Sequence, residues 1–345
     1  MLLPGLATPI VQAPMGGGVS TPALAAAVAG AGGLGFVAGG YLGVPELADQ
    51  LRAARALTAG PVGVNLFSPP APAPDRHVID DFRDRIEPMA RAAGVDLGTP
   101  RHDDDHYEDK ISLVATERPP VVSFAFGCPS AEVVETLHAA GVRVWVTVTN
   151  VDEAAIGARV GADAVIAQGA EAGAHRSSFV DDDGDALPLH QLLELILTSF
   201  GRGGGPPIVA AGGVMTGAHI AEALRSGAAA TQLGTAFMLC PEAGTSAVHR
   251  GALAERRDTV LTRAFTGRLA RGLVNRWTEA FTDGAPRAYP DVHHLTAPVR
   301  AHGRTTGDPE LVNLWAGANY RLARALPAAD VVAVLMEELA SAGPR

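Results

Sequence analysis

The feature that most constrains the fold is an alternation, repeated eight times, of short apolar runs with segments of helical length. The runs are continuously apolar, which is typical of parallel strands covered on both faces. The alternation therefore predicts an α/β fold of the (β/α)8 type, a TIM barrel. The runs are PIVQAPM (9–15), LGFVAG (34–39), PVGVNLF (61–67), VVSFAFG (121–127), VRVWVTVT (142–149), ADAVIAQG (162–169), PIVAAGG (207–213) and ATQLGTAF (230–237).

A doubly wound open sheet is the competing architecture. Such sheets usually have fewer strands and a G-x-G-x-x-G turn after the first one. The first turn here, APMGGGVS, lacks that spacing. Three helix starts are also readable, because Thr21 precedes Pro22, Asn150 precedes Glu153 by three residues, and Thr216 precedes an amphipathic segment.

Two regions interrupt or follow the alternation. Residues 69–118 are rich in Pro, Asp and Arg and predict an excursion between the third and fourth strands. Residues 241–345 follow the eighth strand and predict a mostly helical C-terminal appendage that packs over the barrel of residues 1–240. The clearest helical pieces of this appendage are LTRAFTGRLARGLVNRW and AADVVAVLMEELA.

Composition excludes several classes of function. The chain has 345 residues and a net charge of −10, which disfavours nucleic acid and anionic membranes as partners. Two cysteines without a C-x-x-C pair support neither a disulfide framework nor a structural zinc site. The N-terminus lacks a secretory signal, and glycines interrupt the longest alanine-rich run, so no membrane span is predicted. We expect a cytoplasmic enzyme.

In a barrel of this type, the carboxyl ends of the strands form the active site. The residues at those ends are mostly glycines, amides and hydroxyls, which permit close backbone approach and offer neutral hydrogen bonds. Gly212 and Gly213 after the seventh strand, with Gly234 and Thr235 after the eighth, lie where barrels often bind phosphate. Tight turns without a ligand are the alternative for each loop.

An amide-rich rim beside a phosphate site suits a flavin. Asn65 and Gln168 could bond the ring, and Pro14 and Met15, which follow Ala13, could lie against its face. The alternative is that both amides only satisfy backbone groups at strand ends. His175, in the loop QGAEAGAHRSSF after the sixth strand, is the candidate catalytic group, with an ordinary surface histidine as its alternative.

Other polar groups carry weaker signals. We expect His249 and six further histidines to lie outside the site, the acidic stretches HDDDH (102–106) and DDDGD (181–185) to be solvated loops, and Cys128 to be a wall residue. We predict no metal site. Glu171 and Arg176 are expected to shape the loop rather than to act in catalysis.

Together these motifs resemble nitronate monooxygenases of class I, and the resemblance runs nearly end to end. The matching stretches are VQAPMGGGVS, VGVNLF, FAFGCPS, IAQGAEAGAHRSSF, IVAAGGV, QLGTAFMLCPEA, TRAFTGRLARGLVNRW and LWAGANYRLA. The resemblance implies a bound FMN, a catalytic His175, and oxidation of alkyl nitronates or nitroalkanes by O2 to a carbonyl compound and nitrite, without NAD(P)H or metal. The FMN contacts that it implies are Asn65, Gln168, Gly173, Gly213, Gln232, Leu233, Gly234 and Thr235.

One departure concerns the catalytic loop, because the family commonly has Gly-Gly-His where this chain has Gly173-Ala174-His175. Alanine would restrict a positive φ there. In this reading a neutral His175 removes the Cα proton of a nitroalkane, and the resulting imidazolium stabilises the nitronate in a site poor in other charges.

Other functions remain open. The nearest is an FMN- and NAD(P)H-dependent enoyl reductase of the enoyl-ACP reductase type. A non-redox flavin-binding protein and a phosphate-sugar isomerase or lyase are less favoured. The physiological substrate and the oligomeric state, including a homodimer, are not readable from the sequence.

Overall fold

The computed structural model describes residues 2, 6–182, 186–201 and 204–343. The strands of this described part are β1 (Ile10–Gln12), β2 (Gly35–Ala38), β3 (Val62–Phe67), β4 (Val121–Ala125), β5 (Arg143–Val148), β6 (Ala164–Gln168), β7 (Ala174–His175), β8 (Ile208–Ala211), β9 (Ala230–Leu233), β10 (Thr259–Thr262) and β11 (Ala270–Leu273).

The α-helices lie mainly between the strands. Over the same residues they are α1 (Pro22–Gly30), α2 (Val44–Leu57), α3 (Arg76–Ala92), α4 (Tyr107–Glu117), α5 (Ala131–Ala139), α6 (Val151–Arg159), α7 (Leu189–Phe200), α8 (Gly217–Arg225), α9 (Ala247–Ala254), α10 (Arg276–Phe281), α11 (Asp291–Thr306) and α12 (Ala328–Ser341).

Eight parallel strands form the predicted barrel. Their order is β1-β9-β8-β6-β5-β4-β3-β2, and a parallel bridge between Val11 and Leu34 joins the two ends of the sheet. The structure thus confirms the (β/α)8 prediction and excludes the open doubly wound sheet. Each of the eight apolar runs contains one barrel strand.

The apolar runs are continuous because successive residues pack on opposite sides of the same strand. Phe36, Trp145 and Ile166 point into the barrel and form one buried cluster with neighbouring strands. Val144 and Val146 instead belong to a second cluster that includes residues of the outer helices. Both faces of each strand are therefore withdrawn from water.

The three expected helix starts are confirmed. The side chains of Thr21, Asn150 and Thr216 each accept a hydrogen bond from a backbone N–H three residues on, at the first turns of α1, α6 and α8. Glu153, however, does not complete a capping box. Its carboxylate accepts from the backbone of Thr149 at 2.6 Å and of Phe179 at 2.7 Å, which fastens the loop after His175 to the barrel.

The excursion contains the helices α3 and α4. Buried Phe82 and Ile86 of α3 share an apolar cluster with Trp277 and Phe281 of α10. Helix α4 contributes the fully buried Lys110, whose Nζ lies 2.7 Å from Asp105 and donates to the Gly39 carbonyl at 2.9 Å. The excursion is therefore built into both the barrel edge and the C-terminal region.

One prediction for the C-terminal region is wrong, namely that LTRAFTGRLARGLVNRW forms a helix. The segment contains the end of β10, the whole of β11 and only the beginning of α10. Gly267 has φ +78°, and a Cβ on Gly272 would lie 2.9 Å from the Leu314 carbonyl oxygen, so the segment turns and pairs as strands. Strand β11 pairs antiparallel with both β10 and β7.

The other helical prediction, AADVVAVLMEELA, is confirmed as α12. Its residues Val331, Val332 and Leu335 are buried in a cluster with Leu24 of α1 and Ile220 of α8. Helix α12 thus packs against the outside of the barrel beside its first and last strands. Other parts of the C-terminal region lie near the carboxyl ends of the strands.

Candidate active site

A cavity of about 470 Å³ opens at the carboxyl ends of the barrel strands. All thirteen residues that the sequence singled out line it, although eight different strands and loops supply them. They are Ala13, Pro14, Met15, Asn65, Gln168, Gly173, His175, Gly212, Gly213, Gln232, Leu233, Gly234 and Thr235. Their convergence on one cavity follows from the barrel, which brings distant strand ends together.

The glycine loops after β8 and β9 form one end of the cavity. Gly212 and Gly213 have φ values of +109° and +70°, which favour glycine. The Gly213 carbonyl accepts from Asn319 Nδ2 at 2.8 Å, and Thr235 Oγ1 accepts from the Gly317 N–H at 3.0 Å. The C-terminal region therefore holds both loops in place and leaves their backbone facing the cavity.

Gly173 also allows a close backbone contact. A Cβ at this position would lie 2.5 Å from the Gly317 nitrogen and 2.6 Å from the Ala316 carbonyl carbon. Any larger residue would push the loop after β6 away from the C-terminal segment. Glycine is required here by packing within the protein, whatever else binds beside it.

Three buried or partly buried amides face the cavity, and they differ in what they already bond. Gln168 uses both ends of its amide on its own loop, donating to the His175 carbonyl at 3.2 Å and accepting from the Ser177 N–H at 2.8 Å. Asn65 donates to the Ser123 carbonyl and hydroxyl, both at 3.1 Å. Gln232 is only 8% exposed, and its Oε1 has no hydrogen-bond partner among the described residues.

These observations fit a flavin phosphate and ring. Gln232 Oε1 is a buried acceptor that lacks a donor, and such atoms are uncommon unless a ligand supplies the partner. The glycine loops bring their backbone to the cavity lining, and backbone N–H groups in such loops are typical phosphate-binding groups. Met15 lies against the position where a Cβ of Gly234 would be, its Sδ at 3.6 Å. The donor set is neutral and amide-rich, which suits a large planar heterocycle.

His175 stands on the two-residue strand β7, paired opposite Ala270 of β11. Ala174 before it has φ +63°, so this alanine occupies the left-handed conformation that favours glycine. The backbone at this position therefore has the positive φ that suits the glycine of Gly-Gly-His, although this chain has an alanine there. Pairing with β11 holds the loop in this conformation despite the strain of about 1 kcal/mol or more.

Hydrogen bonds and aromatic rings fix the imidazole of His175. Its Nε2 lies 2.9 Å from Thr266 Oγ1, and that hydroxyl donates to the Arg268 carbonyl at 3.2 Å. With the hydroxyl proton so used, the oxygen accepts the Nε2–H of His175 and leaves Nδ1 as the proton acceptor. The rings of Phe126, Tyr289 and Trp315 pack around the imidazole at centroid distances of 5.6, 5.7 and 5.6 Å.

The expectation that the site is poor in other charges is wrong. Arg268 and Arg300 are 7% and 6% exposed, and among the described residues no carboxylate forms an ion pair with either. The Arg268 guanidinium lies 4.2 Å from the ring centroid of Phe126. Burial, and then the charges of Arg268 and Arg300, lower the pKa of His175 to about 3. The imidazole is therefore neutral at physiological pH.

The sequence did not predict most of this wall, because seven of its nine residues come from the C-terminal region and the other two, Tyr41 and Phe126, from the loops after β2 and β4. Its members are Tyr41, Phe126, Thr266, Arg268, Tyr289, His293, Arg300, Arg304 and Trp315. One signal was available: His293, Ala297, Arg300 and Arg304 recur at helical spacing and line the cavity from one face of α11.

Tyr41 anchors this wall at the end of β2. Its ring stacks on His293 with centroids 4.2 Å apart and planes within 2°, and its hydroxyl accepts a hydrogen bond from that of Tyr289 at 3.2 Å. The residue has φ +68°, and its backbone N–H donates to Asp105 Oδ1 at 3.0 Å. Burial raises the pKa of the Tyr41 hydroxyl to about 12.

Other predicted roles have mixed outcomes. His249, expected outside the site, lines the cavity with a buried Nε2 that has no partner among the described residues. HDDDH is not a solvated loop, since Asp105 pairs with Lys110 and His102 bonds Asp291 at 2.8 Å. Residues 183–185 of DDDGD lie outside the described residues.

Glu171 shapes its loop as predicted, whereas Cys128, predicted as a wall residue, is not among the residues that line the cavity and packs against the outer apolar cluster. The Glu171 carboxylate accepts from the Leu189 N–H at 3.1 Å, at the first turn of α7, which is the expected loop-shaping cap. Burial raises the pKa of the Cys128 thiol to about 11, which disfavours a thiolate nucleophile.

The described residues contain no group of three or more His, Cys, Asp and Glu side chains arranged to hold a metal ion. None of the helices within the same residues combines the length and apolar character needed to cross a membrane.

Comparison with known proteins agrees with this geometry. The sequence model of the family described as nitronate monooxygenase matches residues 2–338. The nitronate monooxygenase of Pseudomonas aeruginosa is 41% identical, with 97% of each chain covered. The nitroalkane oxidase of Streptomyces ansochromogenes superposes with a TM-score of 0.93 at 44% identity, over 99% of this chain and 97% of that one.

A more distant structure is also similar. FabK from Thermotoga maritima has a TM-score of 0.76 and 25% identity, over 99% of this chain and 94% of that one. The likeness is weaker than to the nitroalkane oxidase on both measures. The family match and the similarity to the nitronate monooxygenase and the nitroalkane oxidase show that the chain is an oxidoreductase and that it belongs to the nitronate monooxygenase family.

Proposed function

We propose that this enzyme binds FMN in the cavity and oxidises alkyl nitronates with O2, giving a carbonyl compound and nitrite. The observation that carries the proposal is that the two ends of the cavity differ in the chemical groups that line them. One end offers glycine backbone and an unpartnered Gln232 acceptor, and the other offers His175 within the electrostatic reach of the buried arginines Arg268 and Arg300. The first end suits a flavin and the second suits a small anion.

FMN would be held by the residues that the sequence assigned to it. The loops at Gly212–Gly213 and Gly234–Thr235 would contact its phosphate, and Asn65, Gln168 and Gln232 its ring, with Met15 on the apolar side. When bound, the flavin supplies the electron acceptor and the group that reacts with O2.

The wall around His175 selects the ionised form of the substrate. Arg268 and Arg300 contribute positive potential where the nitro group would lie, and few nearby anions offset it. Burial, and in addition these two charges, lower the pKa of His175 to about 3, so protonation of its Nδ1 is unfavourable in the ligand-free site. The preformed nitronate is therefore the preferred substrate, and a neutral nitroalkane is poorer because His175 is a weak base there.

His175 also has a second role in this account. Its Nδ1 is the proton acceptor of the neutral ring, and Thr266 and the rings of Phe126, Tyr289 and Trp315 hold the imidazole still. A bound anion raises the proton affinity of the imidazole, so His175 gains a proton more readily once a nitronate is in place. Protonation of Nδ1 would then add a hydrogen-bond donor to the substrate oxygen.

The test is a comparison of substrates with the purified protein. The cofactor released on denaturation should be FMN by mass. Nitrite should form from an alkyl nitronate in air without NAD(P)H, and more slowly from the neutral nitroalkane offered at the same concentration. The likeness to FabK makes enoyl reduction the second candidate, so NAD(P)H with an enoyl thioester is the comparison reaction. Turnover of that pair without nitrite release would reject the proposal.

A further inference from the structure

Two arginines lie in series on the cavity face of α11. Arg300 and Arg304 are one helical turn apart, and both line the cavity. Arg300 is 6% exposed, whereas Arg304 is exposed to solvent. Burial chiefly, and in addition the positive charge of Arg304, lowers the pKa of Arg300. The pair forms a cationic path from the surface to the interior.

Arg300 is held from behind by its own helix. Its Nε donates to Thr296 Oγ1 at 3.2 Å and its Nη2 to the His293 carbonyl at 2.6 Å. Its Nη1 donates to none of the described residues, and no carboxylate among them pairs with the group. A buried guanidinium without a counter-ion is costly, and proteins keep one chiefly where an anion binds.

The neighbours of Arg300 separate it from the glycine loops. Arg300 donates to the carbonyl of His293, whose ring stacks on that of Tyr41, whereas the glycine loops contact Gly317 and Asn319. Arg300 therefore faces the end of the cavity that the flavin phosphate does not use. Burial lowers the pKa of Arg300 to about 10, so the group stays charged at physiological pH.

The positive path formed by Arg304 and Arg300 contrasts with the net negative charge of the whole protein. The chain carries a net charge of −10, so its surface as a whole repels small anions. A local positive path to the cavity offsets this repulsion and raises the rate at which anions reach the site. Ala297, between His293 and Arg300 on the same helix face, keeps the space beside Arg300 open.

We infer that Arg300 is the substrate-anion binding residue of this enzyme and that Arg304 guides anionic substrates from solvent to Arg300. The inference deepens the proposed function and rests on it for the identity of the anion as a nitronate. Its physical content, an anion site at Arg300, can be tested without turnover.

The probe is nitrate, a planar anion that shares the NO2 geometry of a nitronate and is not oxidised. Nitrate should stabilise the holoenzyme in thermal unfolding and should compete with the nitronate in turnover. Arg300→Met should weaken nitrate binding roughly ten- to hundredfold, as expected for loss of a charge-assisted hydrogen bond. Arg300→Lys keeps the positive charge but loses the planar, two-pronged donor geometry of the guanidinium, so a smaller loss of nitrate affinity is expected.

Arg304→Gln tests the guiding role on a solvent-exposed position, where misfolding is not a concern. It should lower kcat/KM for the nitronate about three- to tenfold at low ionic strength, and the difference should vanish near 0.5 M salt, with kcat unchanged. Arg76→Gln is the matched control, because it removes the same charge from a side chain that is 90% exposed and outside the cavity.

Each outcome decides the inference. Equal nitrate binding by Arg300→Met and wild type, no nitrate binding by wild type, or the same salt dependence for Arg304→Gln and Arg76→Gln would overturn it. Arg300-dependent nitrate binding in an enzyme that does not oxidise nitronates would leave the anion site standing and reject the proposed function instead.

Discussion

The imidazole Nε2 of His175 lies 2.9 Å from the hydroxyl oxygen of Thr266. The contact joins the loop after β6 to the turn between β10 and β11, so two distant segments define one orientation of the candidate catalytic group. Thr266 is 1% exposed, and its hydroxyl also bonds the Arg268 backbone. The C-terminal region is thus part of the site.

Thr266→Val should release His175 while preserving side-chain volume. The buried imidazole nitrogen would lose its partner, which costs about 1–3 kcal/mol in stability. We expect kcat to fall about tenfold because the ring is no longer oriented. Thr266→Ser keeps the hydroxyl and should retain wild-type kcat within a factor of about two. Nitrite release and denaturant unfolding measure both effects. Equal activity of the valine and serine variants would contradict this role.

Acid should destabilise the enzyme through its buried neutral histidines. Burial lowers the pKa of His175 to about 3 and of His249 to about 4, and it also lowers the pKa of His293. Below pH 6.5 the unfolded chain binds protons at these sites and the folded chain does not. Stability is therefore complete above pH 6.5 and falls as the pH drops toward 4, by about 2 kcal/mol per histidine between pH 6.5 and 5.

A pair of variants checks this prediction. His249→Gln should flatten the dependence of the unfolding free energy on pH, measured with denaturant at pH 7 and pH 5. His77→Gln removes an exposed histidine and serves as the control. A wild-type slope that persists in His249→Gln would remove this histidine from the account of acid sensitivity.

Ala174→Gly should relieve backbone strain. The residue has φ +63°, where alanine costs about 1–2 kcal/mol that glycine does not. Glycine adds unfolded-chain entropy of about 0.4–1 kcal/mol, so a net gain of up to about 1 kcal/mol is expected. The same change at Ala38, which is buried in β2 without a positive φ, should destabilise. Loss of stability at both positions, in chemical denaturation, would mean that Ala174 carries no strain.

Substitution by leucine should have different effects on the stability of the FMN-free protein at Gln232 and at Gln168. Gln232 Oε1 is buried without a partner, so Gln232→Leu should leave the FMN-free protein as stable as wild type or more so, while weakening FMN binding about tenfold. Both ends of the Gln168 amide are already bonded within the protein, so Gln168→Leu should destabilise the FMN-free protein by about 1–3 kcal/mol. Thermal unfolding and FMN titration separate the two. Unchanged FMN affinity in Gln232→Leu would remove it from the flavin site.

The barrel and its rim could be predicted because their signals are local. Continuous apolar runs follow from strands buried on both faces, and the residue that ends each run automatically lies at the rim. Asn65, Gln168 and Gln232 were found in this way, although they belong to different strands. The resemblance of the motifs to nitronate monooxygenases implied the same three residues as FMN contacts.

The charged and aromatic wall could not be predicted in this way. Arg268, Tyr289 and Arg300 follow no barrel strand, and their approach to His175 depends on how the C-terminal region folds back. The error at LTRAFTGRLARGLVNRW has the same origin. Its apolar spacing suits a helix, but β7 offers a strand edge from far away in sequence, and tertiary pairing overrides local preference.

The central claim, that the nitronate itself delivers electrons to a flavin in this cavity, is tested most directly by anaerobic mixing. The oxidised enzyme is mixed with an alkyl nitronate, and separately with NAD(P)H, while the flavin absorbance is followed. We predict that the nitronate alone bleaches the flavin, that admitting O2 restores the colour with nitrite release, and that NAD(P)H has little effect. Rapid bleaching by NAD(P)H and none by the nitronate would contradict the account and favour an enoyl reductase.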